Sequence, residues 1–222
     1  MCTDDEVSRR RVLGMSLGLG GAALLGSAPL MAVAPQKRTP TQVLGPYYPM
    51  VKPLDQDADL TMVAGKTQRA SGQILHVMGR VTNAAGQPLP NTRIEIWQAN
   101  MHGRYTHPSD TKTDLPLDPN FDGFAVLTTD AEGRYRFKTI KPGGYNEGGS
   151  TRPPHIHFEV SGKYNRLVTQ MYFAGDPLNA ADRFLATAPA NGAQLIAPLL
   201  PPTKDLEPSS LLVPWDVVLE NG

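Results

Sequence analysis

The stretch TRPPHIHFEV, Thr151 to Val160, has the pattern of a β-strand that is entered through two prolines. Its polar and apolar residues alternate from His155 onward, and successive side chains of a strand point to opposite faces. The apolar residues that we expect to face the core are Ile156, Phe158 and Val160. His155 and His157 then project from the other face with Cα atoms roughly 6.5–7 Å apart, so that both imidazoles can reach one metal ion.

Similar short runs lie on both sides of this stretch, separated by turn sequences such as NAAGQ (Asn83–Gln87) and DAEG (Asp130–Gly133). The candidate strands are Ile74–Val81, Thr92–Ala99, Phe124–Thr129, Arg134–Ile140, Arg166–Phe173 and Trp215–Glu220. Two stretches favour helix, Asn179–Ala186 and Ala193–Ala197. Regular short strands with turns between them predict an all-β fold, an antiparallel β-sandwich with long loops and a minor helical part.

The first 34 residues have the pattern of an export signal. Arg9 and Arg10 precede a mildly apolar, Gly-rich stretch that ends in Ala32-Val33-Ala34, and such a charged start, apolar middle and A-x-A end are typical of a cleaved signal peptide. The paired arginines resemble those of a twin-arginine signal. We expect residues 1–34 to be removed and the protein to be periplasmic or secreted. The alternative is an uncleaved membrane anchor, because the apolar stretch is almost long enough to span a bilayer.

The rest of the chain divides into an extended, Pro-rich N-terminal arm, residues 35–72, and a β-sandwich domain, residues 73–222. Basic and acidic residues number 21 each, so no net charge favours nucleic acid or an anionic membrane as a partner. Cys2 is the only cysteine and lies in the signal, which leaves the mature chain without thiolate ligands. A metal site must therefore use histidine, tyrosine or carboxylate.

Two long polar loops, Asn100–Asp122 and Lys141–Pro154, lead towards the histidine strand, and loops of that length in a compact domain are often functional. A histidine pair by itself fits zinc or copper. Further ligands are offered by Glu159, by His102 and His107 in the first loop, or by the tyrosines of both loops. Phenolate is a hard anion that a trivalent cation stabilises, so a tyrosine–histidine site favours Fe(III). The histidine pair alone leaves these metals open.

Four motifs follow one another along the chain: WQANMHGRYTH from Trp97, GRYRFKTIKPGGY from Gly133, RPPHIHF from Arg152 and RLVTQMYFAGDPL from Arg166. Together they resemble the intradiol ring-cleaving dioxygenases, closest to the protocatechuate 3,4-dioxygenase and catechol 1,2-dioxygenase group, over about Thr41 to Leu178. The resemblance implies cleavage of a protocatechuate- or catechol-like aromatic 1,2-diol with O2 to a cis,cis-muconate-type dicarboxylate. It further implies a single Fe(III) ion with the ligands Tyr105, Tyr145, His155 and His157.

The resemblance also assigns roles around the metal. It implies that Tyr145 leaves the metal when the diol binds and takes up a proton, whereas Tyr105 stays bound. Arg152 matches an arginine that lies over the bound substrate, with a surface ion pair as the alternative. Gln170 matches a glutamine of the substrate pocket, and Tyr47, in LGPYYP, resembles a tyrosine that approaches the substrate.

Some features separate this chain from the classical enzymes. The loop after Tyr145, NEGGS, is shorter and lacks aromatic residues, which leaves the preferred diol open. The resemblance leaves either a homo-oligomer or a second subunit as the assembly.

Tyr135 also follows Gly-Arg, but it alternates with Phe137 in a strand, so we expect it in the core.

A rival interpretation comes from a different class of protein. The segment Gly79–Trp97 also resembles exported β-sandwich binding modules of the carbohydrate-binding or transthyretin-like kind, which hold no metal. That interpretation explains the strands but leaves the tyrosines and the paired histidines without a role.

Overall fold

The computed structural model describes residues 35–188 and 190–220. The predicted signal peptide, residues 1–34, lies outside the described residues and stays a prediction. Among the described residues, no helix is both long and apolar enough to cross a membrane. Residues 35–72, the predicted arm, contribute no strand or helix beyond an isolated bridge at Asp59.

Eleven strands lie in the described part of the chain. In chain order they are β1 (Ile74–Asn83), β2 (Arg93–Trp97), β3 (Phe124–Thr128), β4 (Arg134–Ile140), β5 (Tyr145–Glu147), β6 (Ser150–Arg152), β7 (His155–Ser161), β8 (Arg166–Phe173), β9 (Ile196–Ala197), β10 (Leu211–Pro214) and β11 (Val217–Leu219). The candidate strands of the sequence all appear among them, with ends that differ by at most two residues.

Two mixed sheets pack face to face. In the first, β1 pairs antiparallel with β4 and parallel with β10 and β11. The second has the strand order β3-β2-β7-β8-β9 and is antiparallel except for the β8–β9 pair. The hairpin β5–β6 forms a small sheet of its own. The predicted all-β sandwich is confirmed, and the parallel pairs are an addition to it.

The parallel pairs depend on a close approach at Gly79. The first half of β1, from Leu75, pairs with β10, and its last residues, from Val81, pair with β11. Between these two pairings, a Cβ on Gly79 would lie 1.8 Å from the carbonyl oxygen of Trp215. Only glycine fits there, and it lets one long strand accept two short partners in succession.

The core lies between the sheets and is built from alternate positions of facing strands. Fully buried members include Leu75 and Val77 of β1, Ile94 and Ile96 of β2, and Ile156, Phe158 and Val160 of β7. Burial of each such side chain contributes about 1.5–3 kcal/mol. Tyr135 belongs to this core as predicted, and its hydroxyl donates to the carbonyl oxygen of Trp215 at 2.6 Å.

The opposite face of the second sheet is covered as well. A second cluster of buried residues lies there, made of Trp97, Ala99, Tyr105, Phe124 and Tyr145, with Tyr47 and Tyr48 of the arm packed against it. Strand β7 is therefore buried on both faces. The histidines that it projects lie inside the protein and away from bulk water.

Helical structure in the described residues is limited to three short segments, which confirms a minor helical part. These are a 3-10 helix at Pro177–Ala181, the α-helix α1 (Arg183–Ala186) and a 3-10 helix at Gly192–Leu195. The predicted helix Asn179–Ala186 is interrupted at Asp182, whose carboxylate accepts the backbone N–H groups of Phe184 and Leu185 and so begins α1.

Candidate metal centre

Strand β7 brings its two histidines together inside the protein. The Nε2 atoms of His155 and His157 lie 3.2 Å apart, and each residue is 1% exposed. Nδ1 of His155 lies 2.7 Å from the carbonyl oxygen of Pro153. Because a carbonyl only accepts hydrogen bonds, Nδ1 carries the hydrogen and Nε2 keeps a free lone pair.

Tyr145 and Tyr105 enter the same space from the two long loops. The phenol oxygen of Tyr145 lies 3.4 Å from Nε2 of His155. The ring of Tyr105 meets that of Tyr145 edge to face at 5.5 Å between centroids, and lies 6.4 Å from the ring of His157. The Tyr105 hydroxyl is buried and has no hydrogen-bond partner among the described residues.

A glycine contact holds the two tyrosine loops in register. Gly103, two residues before Tyr105, has a φ of 79°, and a Cβ there would lie 2.3 Å from the carbonyl oxygen of Gly144. The carbonyl of Asn100 accepts the N–H of Gly143 at 2.9 Å. Because Gly144 precedes Tyr145, these contacts fix one tyrosine loop against the other.

Burial sets the protonation states of the four groups. It lowers the pKa of His155 to about 3, with the positive charge of Arg152 as a further cause. It also lowers the pKa of His157 well below its ordinary value, helped by His155 and Arg152. The pKa values of the Tyr105 and Tyr145 phenols are raised, again chiefly by burial. Without a bound cation, both imidazoles and both phenols are therefore neutral at pH 7.

The four residues fit the donor set of a metal ion. Ligand atoms about 2.0–2.2 Å from one ion lie roughly 3–3.5 Å from each other. The donor atom of His155 has this spacing from the donor atoms of His157 and Tyr145. The Tyr105 hydroxyl is buried without a partner in the described residues. Unpaired buried polar atoms are rare in folded proteins and call for an explanation such as a bound ion.

The alternative of a zinc or copper site completed by a carboxylate finds no support. Within residues 35–188 and 190–220, no three His, Cys, Asp or Glu side chains are grouped so as to hold a metal. Glu159 instead accepts from Arg166 at 2.5 Å, and His102 is exposed. His107 lies against the ring of Tyr47, 5.9 Å between centroids. The tyrosines are therefore the donor groups that lie nearest to the histidine pair.

Arg152 lies at the end of β6 and is 2% exposed, so the alternative of a surface ion pair is wrong. Its Nε donates to the carboxylate of Asp182 at 2.5 Å, and one terminal nitrogen donates to Gln170 at 2.7 Å and to the Tyr172 hydroxyl at 3.1 Å. Its guanidinium lies over the ring of Phe184, 4.5 Å from the centroid. The cation is thus held firmly next to the histidines, with Asp182 as a buried counter-charge.

Gln170 lies opposite His157 in the β7–β8 pairing. Its amide oxygen accepts from Arg152, and its amide nitrogen donates to the carbonyl oxygen of Val43 at 2.9 Å. Both ends of the predicted pocket glutamine are therefore bound to the protein itself. The residue links the arginine network to the N-terminal arm.

The arm covers the site at Gly45 to Tyr48. Tyr47 stacks on Tyr105 at 4.6 Å between centroids, which places this predicted residue beside the candidate ligands. Gly45 has a φ of 78°, and a Cβ there would lie 3.0 Å from Cε1 of His157. Tyr48 and Lys52 donate to the buried carboxylate of Glu95 at 2.6 and 2.7 Å, so Glu95 anchors this part of the arm.

The structure adds residues that the sequence analysis had not singled out. Trp97 stacks on the imidazole of His157 at 4.9 Å and 12° between planes, and Lys112 lies over the ring of Tyr145 at 5.0 Å. Asp182 could have been found from the sequence, because an aspartate before a short helical run is a typical N-cap. Lys112 gives no such signal, since it is one polar residue in a long polar loop.

Known proteins with similar sequences were found for this chain. The model of the dioxygenase family matches residues 43–221. A protocatechuate 3,4-dioxygenase beta chain of Burkholderia cepacia is 52% identical over 138 residues, 60% of this chain and 58% of that protein. A catechol 1,2-dioxygenase of Acinetobacter baylyi is 34% identical over 176 residues, 70% of this chain and 53% of that protein.

Solved structures agree with these matches. The dioxygenase domain of a dioxygenase–carbohydrate-binding fusion protein from Streptomyces sp. SirexAA-E has a TM-score of 0.61 and 26% identity, covering 84% of this chain and 100% of that one. Catechol 1,2-dioxygenase from Acinetobacter sp. ADP1 has a TM-score of 0.60 and 27% identity, covering 82% of this chain and 62% of that one.

The chain, with its β-sandwich and its buried tyrosine–histidine cluster, matches the dioxygenase family model over most of its length and is a member of that family. More particularly, the chain belongs to the intradiol dioxygenase family. It spans somewhat more than half the length of the two curated relatives described above. The rival interpretation as a metal-free binding module does not account for this membership.

Proposed function

We propose that this chain is a non-haem Fe(III) intradiol dioxygenase. It cleaves the ring of an aromatic 1,2-diol between the two hydroxyl-bearing carbons, with O2, to give a cis,cis-muconate-type dicarboxylate. The observation that carries the proposal is the buried convergence at Nε2 of His155, which lies 3.2 Å from Nε2 of His157 and 3.4 Å from the Tyr145 oxygen. The names of the relatives support the reaction class.

The proposed ligands are Tyr105, Tyr145, His155 and His157. Fe(III) bound there would supply the Lewis acidity that ionises the phenols and that activates a chelated diol towards O2. The protein's part is to present two neutral imidazoles, with Nδ1 of His155 fixed on Pro153, and to keep water out. A hydrogen-bonded second nitrogen of this kind orients a metal-binding histidine.

Tyr145 is the proposed base. Burial raises the pKa of its phenol, so a phenolate released there has a strong tendency to take up a proton. That proton comes from a hydroxyl group of the diol, because the ring of Tyr145 lies beside the imidazole of His155, 5.6 Å between centroids. Proton acceptance by a positioned side chain contributes roughly 10²–10⁴-fold to a rate. Tyr105, deeper in the cluster, keeps its place.

Arg152 is the proposed electrostatic stabiliser. Negative charge that develops on the substrate during ring opening is favoured by a fixed cation in a water-poor site. Asp182, Gln170 and Tyr172 hold the guanidinium in place before substrate arrives. Gln170 acts in this proposal by positioning Arg152, and Tyr47 of the arm forms the wall on which the diol ring rests.

The test is oxygen consumption by the purified chain loaded with ferric ion. Catechol, 3,4-dihydroxybenzoate and hydroxyquinol are supplied in turn, and the products are identified by mass and ultraviolet spectra. The expected result is uptake of one O2 per diol, with a dicarboxylate as product and a visible phenolate–Fe(III) band in the resting protein. A colourless protein that takes up no ferric ion and consumes no O2 would overturn the proposal.

We further propose export through the segment 1–34 and action outside the cytoplasm. Recovery of the native protein from the cytosolic fraction with residues 1–34 intact would contradict this.

For the assembly, the name of the Burkholderia relative, a beta chain, supports a second subunit. Light scattering of the purified chain separates a homo-oligomer from a monomer that needs a different partner.

A further inference from the structure

The two sheets leave an open cavity beside their edge strands β3 and β4. Its volume is about 900 Å³, which falls in the size range of small-molecule sites. None of the residues that line it belongs to the candidate metal centre. Its apolar surface is formed by side chains of both sheets, namely Met78, Val126, Leu127, Tyr135 and Pro214.

Three arginines also line this cavity, and the strand register brings them together. Arg80 of β1 lies directly opposite Arg134 of β4, and Arg136, two residues further along β4, lies opposite Met78. Side chains at opposite and diagonal positions on one face of an antiparallel pair interact, and like charges placed opposite each other destabilise the pair. This part of the sheet is therefore stabilised by negative charge.

The carboxylates of the cavity engage only one of these guanidinium groups. Arg134 pairs with Asp130 at 2.7 Å, whereas Asp216 accepts the backbone N–H of Arg80 at 2.7 Å. In the part of the chain that the structure describes, the side chains of Arg80 and Arg136 form no ion pair. Of the charged residues that line the cavity, three are basic and two are acidic, which leaves one basic residue in excess.

The chemistry of an aromatic monocarboxylate complements this surface. A guanidinium group binds a carboxylate through two parallel N–H bonds, and its plane stacks on an aromatic ring. The half-buried side chain of Met78 lies on the same face as the arginines, and a thioether makes favourable contacts with aromatic rings. A single negative charge matches the one basic residue in excess, whereas a dicarboxylate would bring one charge too many.

We infer that this cavity binds an aromatic monocarboxylate, with the carboxylate on Arg80 and Arg136 and the ring against Met78. The site lies apart from the metal centre, so the inference goes beyond the proposed function and does not depend on it. A saturated ring acid has the same charge but no π face, and the amide of the aromatic acid has the ring but no charge. Each of these should bind more weakly than the aromatic acid.

The test is nuclear magnetic resonance of the full metal-free chain with isotope-labelled methionine methyl groups. Benzoate should shift the Met78 methyl signal, because a ring that packs on this methyl adds its ring-current field. The signal of Met171, which is buried in the core, should not move. Cyclohexanecarboxylate and benzamide, added at the same concentrations, should shift the Met78 signal less. Met78→Leu and Met171→Leu assign the two signals.

Substitution of the two unpaired arginines measures their contribution. Arg80→Gln and Arg136→Gln should each weaken benzoate binding roughly 3- to 10-fold, as loss of a charge-assisted contact at a partly exposed site does. Arg69→Gln is the control, because this exposed arginine pairs with Glu207 and does not line the cavity; it should leave binding unchanged. The iron-loaded chain should bind benzoate here with the same affinity.

Three results would contradict the inference: a Met78 signal that benzoate does not move, equal shifts with cyclohexanecarboxylate, or unchanged affinity in both arginine variants. A Met78 signal that moves with protein concentration alone, together with a dimer in light scattering, would instead make the cavity an interface between copies and would also refute it. Because no step of this test measures oxygen consumption, failure of the ring-cleavage proposal leaves its result untouched.

Discussion

The phenol oxygen of Tyr145 lies 3.4 Å from Nε2 of His155, on the side of the imidazole that carries the lone pair. The two groups come from different elements, the hairpin strand β5 and the sheet strand β7. One donor is therefore carried by a seven-residue strand inside a five-stranded sheet, and the other by a three-residue strand of a separate two-stranded sheet. This division suits a site in which one ligand is exchanged and the others stay.

Tyr145→Phe tests this exchange. Removal of the hydroxyl deletes one proposed ligand and the proposed base, so turnover should fall by about 10²-fold or more and the visible band should shift. Binding of ferric ion, delivered as a weak chelate, should also release about one proton fewer per site than in the wild type, because one phenol fewer is ionised. Tyr135→Phe is the matched control, since its hydroxyl binds Trp215 in the core; it should cost about 1 kcal/mol of stability and leave band and proton count unchanged.

Asp182→Asn tests the support of Arg152. The amide can still accept the N–H groups that begin α1, but the buried guanidinium loses its nearest counter-charge and keeps only Glu147 at 3.8 Å. We expect a loss of about 3 kcal/mol in the free energy of unfolding, measured by denaturant titration, together with a lower kcat. Asp176→Asn, at the start of the neighbouring 3-10 helix, is the control for the capping function and should stay within about 0.5 kcal/mol of the wild type. Equal effects of the two variants would show that Asp182 serves only as a cap.

Gly45→Ala tests the contact between the arm and His157. Gly65 has nearly the same φ, 79° against 78°, but nothing lies within 4 Å of its added Cβ. Gly65→Ala should therefore lower the free energy of unfolding only by the backbone cost of a left-handed residue, about 1–2 kcal/mol. Gly45→Ala should cost more and should alter the visible band of the ferric protein, since the new methyl pushes on the imidazole. Identical melting temperatures and spectra for the two variants would show that the arm does not press on His157.

The buried histidines predict a pH dependence for the metal-free chain. Above pH 6.5 both the folded and the unfolded chain hold His155 neutral. As the pH falls below 6.5, the unfolded chain takes up a proton that the folded chain, with a pKa of about 3, does not. Each pH unit between these values therefore costs up to about 1.4 kcal/mol of stability. Thermal melts from pH 7.5 to pH 4.5 should show this loss, and His155→Gln should flatten the slope. The exposed His102→Gln variant should keep the wild-type slope, and a wild-type melting temperature that is constant over this range would contradict the prediction.

Much of this architecture could be predicted from the sequence, for identifiable reasons. The alternation in Arg134–Ile140 is strong enough that this strand has the predicted ends, and the run Arg166–Phe173 also has them. The same alternation placed Tyr135 in the core and put the two histidines of β7 on one face. The motif resemblance then selected Tyr105 and Tyr145 from the tyrosines of the loops, and the structure brings both to the histidines.

The remaining features depend on contacts between distant segments. The parallel pairing of β10 and β11 with β1 depends on the close approach at Gly79, which leaves no local pattern. The burial of Arg152 depends on Asp182 and on Gln170, 30 and 18 residues away. Lys112 contacts the Tyr47 hydroxyl, 65 residues away, only because the arm lies against its loop. Periodicity describes neighbours along the chain, and none of these partners is a neighbour.

The anchoring of the arm on Glu95 and on Gln170 has a consequence for how such a protein can change. The proposed metal ligands come from β5, β7 and the loop before β3, whereas the cover over them comes from residues before Ile74. The cover over the site and the proposed metal ligands are thus encoded in different stretches of the chain. A different arm can evolve, or be grafted, over unchanged metal ligands, provided that it still offers a carbonyl group to Gln170 and a phenol and an amine to Glu95.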